Sequence, residues 1–199
     1  MKRSSVIILL LFSTSLAAAQ GSTFVSAGLG IPQKPSDFSS YWKTGLSLGG
    51  GIEVPITDWI GLTAGFDLTS FPLNEEKFLE AQGVAGTGVS VSGGGASILT
   101  LLGGAKLTVV QTPKSVSAYV VGLFGYLNFS TKEFEVSGGG LSGTLAGGER
   151  SSFCVAGGAG AEMPIGKIAD AFIEGRYVVD FAASRTAYIP IRAGVKIRL

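Results

Sequence analysis

The last eleven residues, Ile189 to Leu199, read IPIRAGVKIRL. Every second residue from Ile189 onward is apolar, and the residues between them include Arg192, Lys196 and Arg198. Successive residues of a β-strand point to opposite sides, so this segment predicts a strand with one apolar face and one cationic face. A soluble sheet would bury the apolar face and leave the cations in water. A transmembrane barrel turns the apolar face to lipid and encloses the cations.

The first nineteen residues have the form of a secretory signal peptide. Lys2 and Arg3 precede a short apolar run, 6–12, and small residues follow up to Ala19. Such a segment is typical of export through the Sec pathway with cleavage at a small-residue site, here between Ala19 and Gln20. The run is too short to cross about 30 Å of hydrocarbon as a helix, which disfavours a membrane anchor. We therefore expect residues 1–19 to be removed and residues 20–199 to form one domain.

Seven further segments alternate in the same way as the last one. They lie at about 23–31, 44–56, 59–68, 99–108, 117–129, 152–163 and 172–181. The segment 117–129 is apolar on both faces, one containing Tyr119 and the other Phe124, so its orientation stays open. Eight alternating strands predict an all-β fold, an eight-stranded antiparallel up-and-down transmembrane β-barrel.

The charged residues in the middle of these segments all fall opposite the apolar face. They are five acids and five bases: Glu53, Asp67, Glu162, Glu174, Asp180, Lys106, Arg176, Arg192, Lys196 and Arg198. Lys or Arg at the lipid midplane costs roughly 2–4 kcal/mol, so this segregation favours a membrane-spanning wall. The interior of an eight-stranded barrel is just wide enough for side chains. The pattern predicts a lumen plugged by interior ion pairs with a structural role.

The connections alternate between long and short. The long ones, 32–43, 71–96 and 130–151, and a shorter one at 182–187 lie between short turns near Thr57, Pro113 and Gly166. Outer-membrane barrels have long external loops and short periplasmic turns, so this alternation predicts the orientation. Asn74 could cap a short helix within the second loop. Segments 89–92 and 134–136 are predicted to extend their hairpins beyond the membrane.

The seventh segment contains the run Glu174-x-Arg176-Tyr177. With this run, the signal peptide, the eight alternating segments and the terminal strand, the chain resembles the small outer-membrane barrel family. This is the OmpA transmembrane-domain and OmpX-like group of Gram-negative bacteria. The resemblance implies an integral outer-membrane protein, a monomer that contacts outer-membrane lipid and is inserted by the barrel-assembly machinery. One departure is the final Leu199, because the family usually ends in an aromatic residue.

The composition restricts the possible functions. The chain has no histidine, so a Ser–His hydrolase would lack its base, and the single cysteine, Cys154, cannot form a thiolate cluster. The sequence predicts no enzyme, no metal site and no cofactor. Cleavage would leave 13 of the 15 basic residues against 14 acidic ones, a balance that predicts no nucleic-acid partner.

Three functions are compatible with the sequence. The first is a structural barrel whose loops contact envelope or surface ligands. The second is a narrow channel or transporter for small or apolar solutes, lined by Phe124, Tyr126 and Phe172. The third is a soluble, periplasmic lipocalin-like carrier.

Overall fold

The computed structural model describes residues 21–33, 38–110, 115–138 and 141–199. The predicted cleavage site at Ala19 and Gln20 and the predicted turn at Pro113 lie outside these ranges. In chain order, the described elements are β1 (Ser22–Pro32), α1 (Phe38–Tyr41), β2 (Gly45–Pro55), β3 (Ile60–Phe71), α2 (Glu75–Ala81), β4 (Ser90–Gly93), β5 (Ala96–Val110), β6 (Ser117–Thr131), β7 (Phe134–Gly138), β8 (Leu141–Leu145), β9 (Glu149–Pro164), β10 (Ala169–Asp180) and β11 (Ala187–Arg198). No helix among the described residues is long and apolar enough to cross a membrane.

Eight of the strands form a closed barrel in the order β1-β11-β10-β9-β6-β5-β3-β2, and every neighbouring pair is antiparallel. The last strand closes the barrel against the first, with Val195 opposite Val25 and Ile191 opposite Leu29. Closure pairs the backbone groups of what would otherwise be two sheet edges. The predicted fold class is therefore confirmed.

The outer wall of the barrel is apolar, as the alternation predicted. Val25 is 66% exposed and Leu46 71% exposed, whereas their inward neighbours Phe24 and Ser47 are buried. A soluble monomer rarely exposes one contiguous apolar patch larger than a few hundred Å², and this wall surrounds the whole barrel. A wall of this kind requires lipid as its solvent.

The narrow interior depends on glycine where one strand passes close to another. A Cβ atom built on Gly28 would lie 2.1 Å from the carbonyl oxygen of Ile191, and one on Gly104 would lie 2.2 Å from that of Gly122. Any side chain at these inward positions would push neighbouring strands apart.

The structure decides the orientation of the fifth barrel strand, β6. Tyr119, Leu123 and Leu127 are buried inside the barrel, whereas Phe124 is 71% exposed and Tyr126 43% exposed on the outer wall. Phe124 and Tyr126 therefore do not line the lumen, and the internal site predicted for them is wrong. Both faces of this strand are apolar because its inward face packs into an apolar part of the interior. Trp59, the first residue of the third predicted segment, lies instead in the turn before β3 and is half-exposed.

The long connections meet at one end of the barrel, which we call the loop end, and the short turns meet at the opposite, turn end. At the loop end, β4, β7 and β8 form a separate three-stranded sheet in the order β4-β7-β8. The extension predicted at 134–136 is β7, which forms a hairpin with β8 in its own loop. The extension predicted at 89–92 is β4, whose predicted pairing within its own hairpin was wrong, because β4 pairs with β7 of the third loop. The helix predicted after Asn74 is α2, although the Asn74 side chain makes no capping hydrogen bond.

Candidate functional site: the barrel interior and its loop-end cover

Towards the turn end, two lysines and two glutamates from four strands form one ion-pair cluster. Lys106 of β5 lies 3.1 Å from Glu53 and 2.7 Å from Glu162, and Lys196 of β11 lies 2.7 Å from the same Glu162 oxygen. The Lys106 ammonium also lies 4.2 Å from the centre of the Tyr119 ring. Two cations and two anions leave this cluster neutral, which offsets the desolvation of each charge.

A second cluster joins β3, β10 and β11 across the lumen. Arg192 lies 2.8 Å from Asp67 and 2.9 Å from Glu174. Arg176 lies 3.4 Å from Asp67 and also contacts Glu174. None of the four side chains is more than 5% exposed, and their formal charges cancel. We call these four residues the buried quartet.

Two further ion pairs use residues that the sequence pattern missed. Asp170 pairs with Arg198 near the turn end, and Arg150 lies 3.3 Å from Asp180 near the loop end. Asp180 is fully buried and accepts hydrogen bonds from the Ser152 hydroxyl and the Thr186 backbone N–H. Both missed residues continue the inward alternation of their strands, so extending the two predicted segments by one inward position each would have found them.

Every charge predicted to face inward therefore lies inside the barrel or at its turn-end mouth with a partner of opposite sign. The structure brings them together in three groups rather than one network, because Lys196 also lies 4.0 Å from Asp170 and so joins the first cluster to the Asp170–Arg198 pair; each group contains as many acids as bases. Cys154 also faces inward and is 1% exposed, as a buried thiol.

The loop-end part of the interior is packed with apolar side chains. Near the ends of their strands, Phe71, Ile98, Leu127, Val178 and Tyr188 are each no more than 1% exposed. The same layer contains the buried hydroxyl groups of Tyr188, Thr69 and Thr100, so it is closely packed without being wholly apolar.

Above this layer, the first loop folds back over the barrel mouth. Phe38 of α1 is 4% exposed and its ring centre lies 4.9 Å from that of Phe71, 5.1 Å from Trp42 and 5.8 Å from Phe129. The Trp42 indole N–H donates a hydrogen bond of 3.1 Å to the carbonyl of Gly94. Phe38, Trp42 and Phe129 form what we call the aromatic cover, which ties the first and second loops together over the lumen.

The space left between the two ion-pair clusters is small, although a wider pocket of about 450 Å³, lined by residues that include Glu53, Asp170 and Lys196, opens at the turn-end mouth. A cavity of about 20 Å³ lies among charged and aromatic residues that include Glu53, Lys106, Tyr119, Glu162 and Arg192. Such a volume holds about one water molecule, which these polar groups could hydrogen-bond. Within the described ranges, no three carboxylate or thiol side chains converge on a position for a metal ion. The interior is thus a packed, ion-paired core.

No family model matches the sequence, and no curated protein is detectably related to it. Solved structures, in contrast, match over nearly the whole chain. Neisserial surface protein A shares 14% identity at a TM-score of 0.59, over 91% of this chain and 98% of that one.

The chain has the fold of the small eight-stranded outer-membrane β-barrels. Two more structures agree with this assignment. Ail, the attachment invasion locus protein of Yersinia pestis, shares 16% identity at a TM-score of 0.51, over 90% of this chain and 99% of that one. The N-terminal barrel domain of Pseudomonas aeruginosa OprF shares 10% identity at a TM-score of 0.50, over 91% and 98%. At these identities, the likeness concerns the fold.

Proposed function

We propose that this protein is an integral outer-membrane barrel of a Gram-negative bacterium that presents a folded surface module outside the cell. Its signal peptide is cleaved between Ala19 and Gln20 after Sec export, and the barrel-assembly machinery inserts the chain as a monomer. The ten inward charges act structurally and the protein is not an enzyme. One observation carries the proposal: the lumen is filled by ion pairs and packed side chains and covered by the first loop, whereas a separately folded module with exposed polar groups stands at the loop end.

The surface module consists of α2 and the sheet β4-β7-β8. One face of the sheet is apolar and packs against the helix, since the Phe134 ring stacks on Phe78 at 5.6 Å and Val91 is 3% exposed. The opposite face is exposed and rich in hydroxyl groups, from Ser90, Ser92, Ser137, Ser142 and Thr144, with Glu135 beside them. A module with its own packed face keeps this hydroxyl surface in a defined shape, as binding requires.

The exposed charges of the loop end indicate which partners suit it. Among the residues that the structure describes there, six acids face solvent, namely Glu75, Glu76, Glu80, Glu133, Glu135 and Glu149, against four bases, Lys43, Lys77, Lys132 and Arg185. The Yersinia pestis Ail protein has been solved with a heparin analogue, a highly sulfated ligand. An acidic excess repels such polyanions, so we expect a neutral or cationic envelope or surface ligand for this chain.

The location and orientation are tested by cysteine labelling of intact cells. Ser137→Cys, on the hydroxyl face, is expected to react with a maleimide attached to a polymer too large to pass porins. Thr57→Cys, in the β2–β3 turn, is expected to react only after the outer membrane is permeabilised. The buried Cys154 thiol of the unaltered chain serves as the unlabelled control. If neither variant reacts in intact cells, the protein is not exposed outside the cell. That result is the one expected of a periplasmic carrier.

The channel alternative predicts solute flux, and the packed interior predicts none. We expect vesicles that contain the folded barrel to release small ions and small neutral solutes no faster than empty vesicles. An open outer-membrane porin in the same vesicles provides the positive control. Release above the empty-vesicle rate from protein that is fully folded by heat-modifiable electrophoresis would show that the interior is not a plug.

A further inference from the structure

Two hairpins at the turn end have nearly the same structure. Segment 53–56 reads EVPI and segment 162–165 reads EMPI, and each ends a strand immediately before a short turn. In the β2–β3 turn the Ile56 and Thr57 N–H groups donate hydrogen bonds to the Ile60 carbonyl, at 2.8 and 3.0 Å. In the β9–β10 turn the Ile165 N–H, the equivalent of the Ile56 N–H, donates one to the Ala169 carbonyl at 3.0 Å. Because the two registers also agree, each position of one hairpin has a defined equivalent in the other.

The first difference between the hairpins lies on the lipid-facing wall. In the β2–β3 hairpin, Leu62 lies opposite Val54. At the equivalent position of the β9–β10 hairpin, the smaller Ala171 lies opposite Met163. The smaller side chain leaves a groove of about 280 Å³. Its outward-facing lining residues are Val116, Ala161, Met163, Ala171 and Ile173. All five side chains are apolar, so the groove suits a hydrocarbon occupant.

The second difference lies in the turns. The exposed residue in the middle of the β2–β3 turn is Asp58, and its equivalent in the β9–β10 turn is Lys167. Lys167 is exposed, and in the described part of the chain no carboxylate forms an ion pair with it. In the barrel, the two turns are separated by two strands in either direction, so they stand on opposite sides. Of the two turns compared, only the one beside the groove carries a cation, Lys167.

We propose that this groove and Lys167 form a binding site for one anionic phospholipid of the leaflet at the turn end. An acyl chain lies in the groove, and the Lys167 ammonium contacts the headgroup phosphate. Within hydrocarbon there is no hydrophobic driving force between apolar surfaces, so selection comes from packing and charge. A groove with no occupant leaves its lining atoms without van der Waals contacts on one side. A single flexible acyl chain in the groove restores these contacts. The placement rests on the membrane location proposed above.

A second copy of the protein is a poorer occupant of the same groove. Two copies that associate through the same face around a twofold axis contribute identical surfaces to the interface. Such a contact would bring together two Lys167 side chains, each without an acid within ion-pair range in its own described chain. Like charges at short range are destabilising. A phosphate group instead supplies the missing negative charge.

Native mass spectrometry of the folded barrel in detergent tests this site with two added lipids, phosphatidylglycerol and phosphatidylcholine. The unaltered protein is expected to retain one phosphatidylglycerol at concentrations where it retains little phosphatidylcholine. Lys167→Gln is expected to weaken phosphatidylglycerol retention about fivefold, the effect of about 1 kcal/mol for one basic residue near an anionic lipid surface. Ala171→Leu, which copies Leu62 of the other hairpin, is expected to abolish the single adduct for both lipids.

Matched controls separate the site from general effects. Lys77→Gln removes an equal charge at the loop end, and Ala64→Leu adds an equal volume to the outer wall at β3 on the far side; both should bind lipid like the unaltered protein. Heat-modifiable electrophoresis of every variant distinguishes a lost lipid site from a barrel that has not folded. Equal effects of Lys167→Gln and Lys77→Gln, or of Ala171→Leu and Ala64→Leu, would overturn the site. Retention of a second copy in place of lipid would also overturn it.

Discussion

Arginine in place of Ile191 or Val195 is expected to reduce folding into lipid vesicles severely. Both side chains face outward in the middle part of β11, where they are 43% and 38% exposed on the apolar wall. An arginine at the membrane midplane costs roughly 2–4 kcal/mol, a large part of the 5–15 kcal/mol that stabilises a typical domain. Both positions also lie on the seam between β11 and β1, so the charge falls where the barrel closes.

The control is Ile189→Arg in the same strand. Ile189 also faces outward but lies near the loop end, where the cost of an arginine falls to about 0–1 kcal/mol at the membrane interface. The yield of folded barrel by heat-modifiable electrophoresis and the free energy of unfolding in urea measure the difference. Equal yields and equal free energies for Ile189→Arg and Ile191→Arg would show that the wall does not face hydrocarbon.

The second large effect is expected from Arg192→Gln, which breaks the buried quartet. The change removes one of two cations and leaves Asp67 and Glu174 with Arg176 alone. Removing one partner of a buried ion pair typically costs about 3–5 kcal/mol, because the remaining charge stays desolvated without its counterion. The free energy of unfolding in lipid vesicles measures this loss.

Two further variants identify the cause of that loss. Arg198→Gln removes the same charge from a pair with Asp170, but the Arg198 side chain is 49% exposed, so a loss of about 0–1 kcal/mol is expected. Adding Glu174→Gln to Arg192→Gln leaves one acid and one base in the quartet and should restore part of the stability. If the double variant is less stable than Arg192→Gln by the full cost of Glu174→Gln alone, the two residues act independently and the quartet is not a unit.

The part of the molecule for which we propose a binding role was less predictable than the barrel. The acidic α2 and the alternating residues of β4 and β7 were visible in the sequence, but not their assembly into one module. Alternation shows that a segment forms a strand, whereas it does not show which other loop supplies its partner. The groove beside Lys167 was likewise hidden. The repeated EVPI and EMPI segments were visible, but only the register shows that Ala171 replaces Leu62.

The sequence by itself determined the eight barrel strands, the apolar face of seven of them, and the ten charges placed in the lumen or at its mouth. Lipid is a uniform apolar solvent, so each outward position obeys the same local rule and the rule can be read residue by residue. Only the tertiary structure decided how β6 is oriented, which acid each cation meets, and how the first loop covers the lumen. These features depend on contacts across the barrel, such as Arg192 with Asp67 and Phe38 with Phe129. The interior has both polar and apolar parts, so the character of one side chain does not determine its position there.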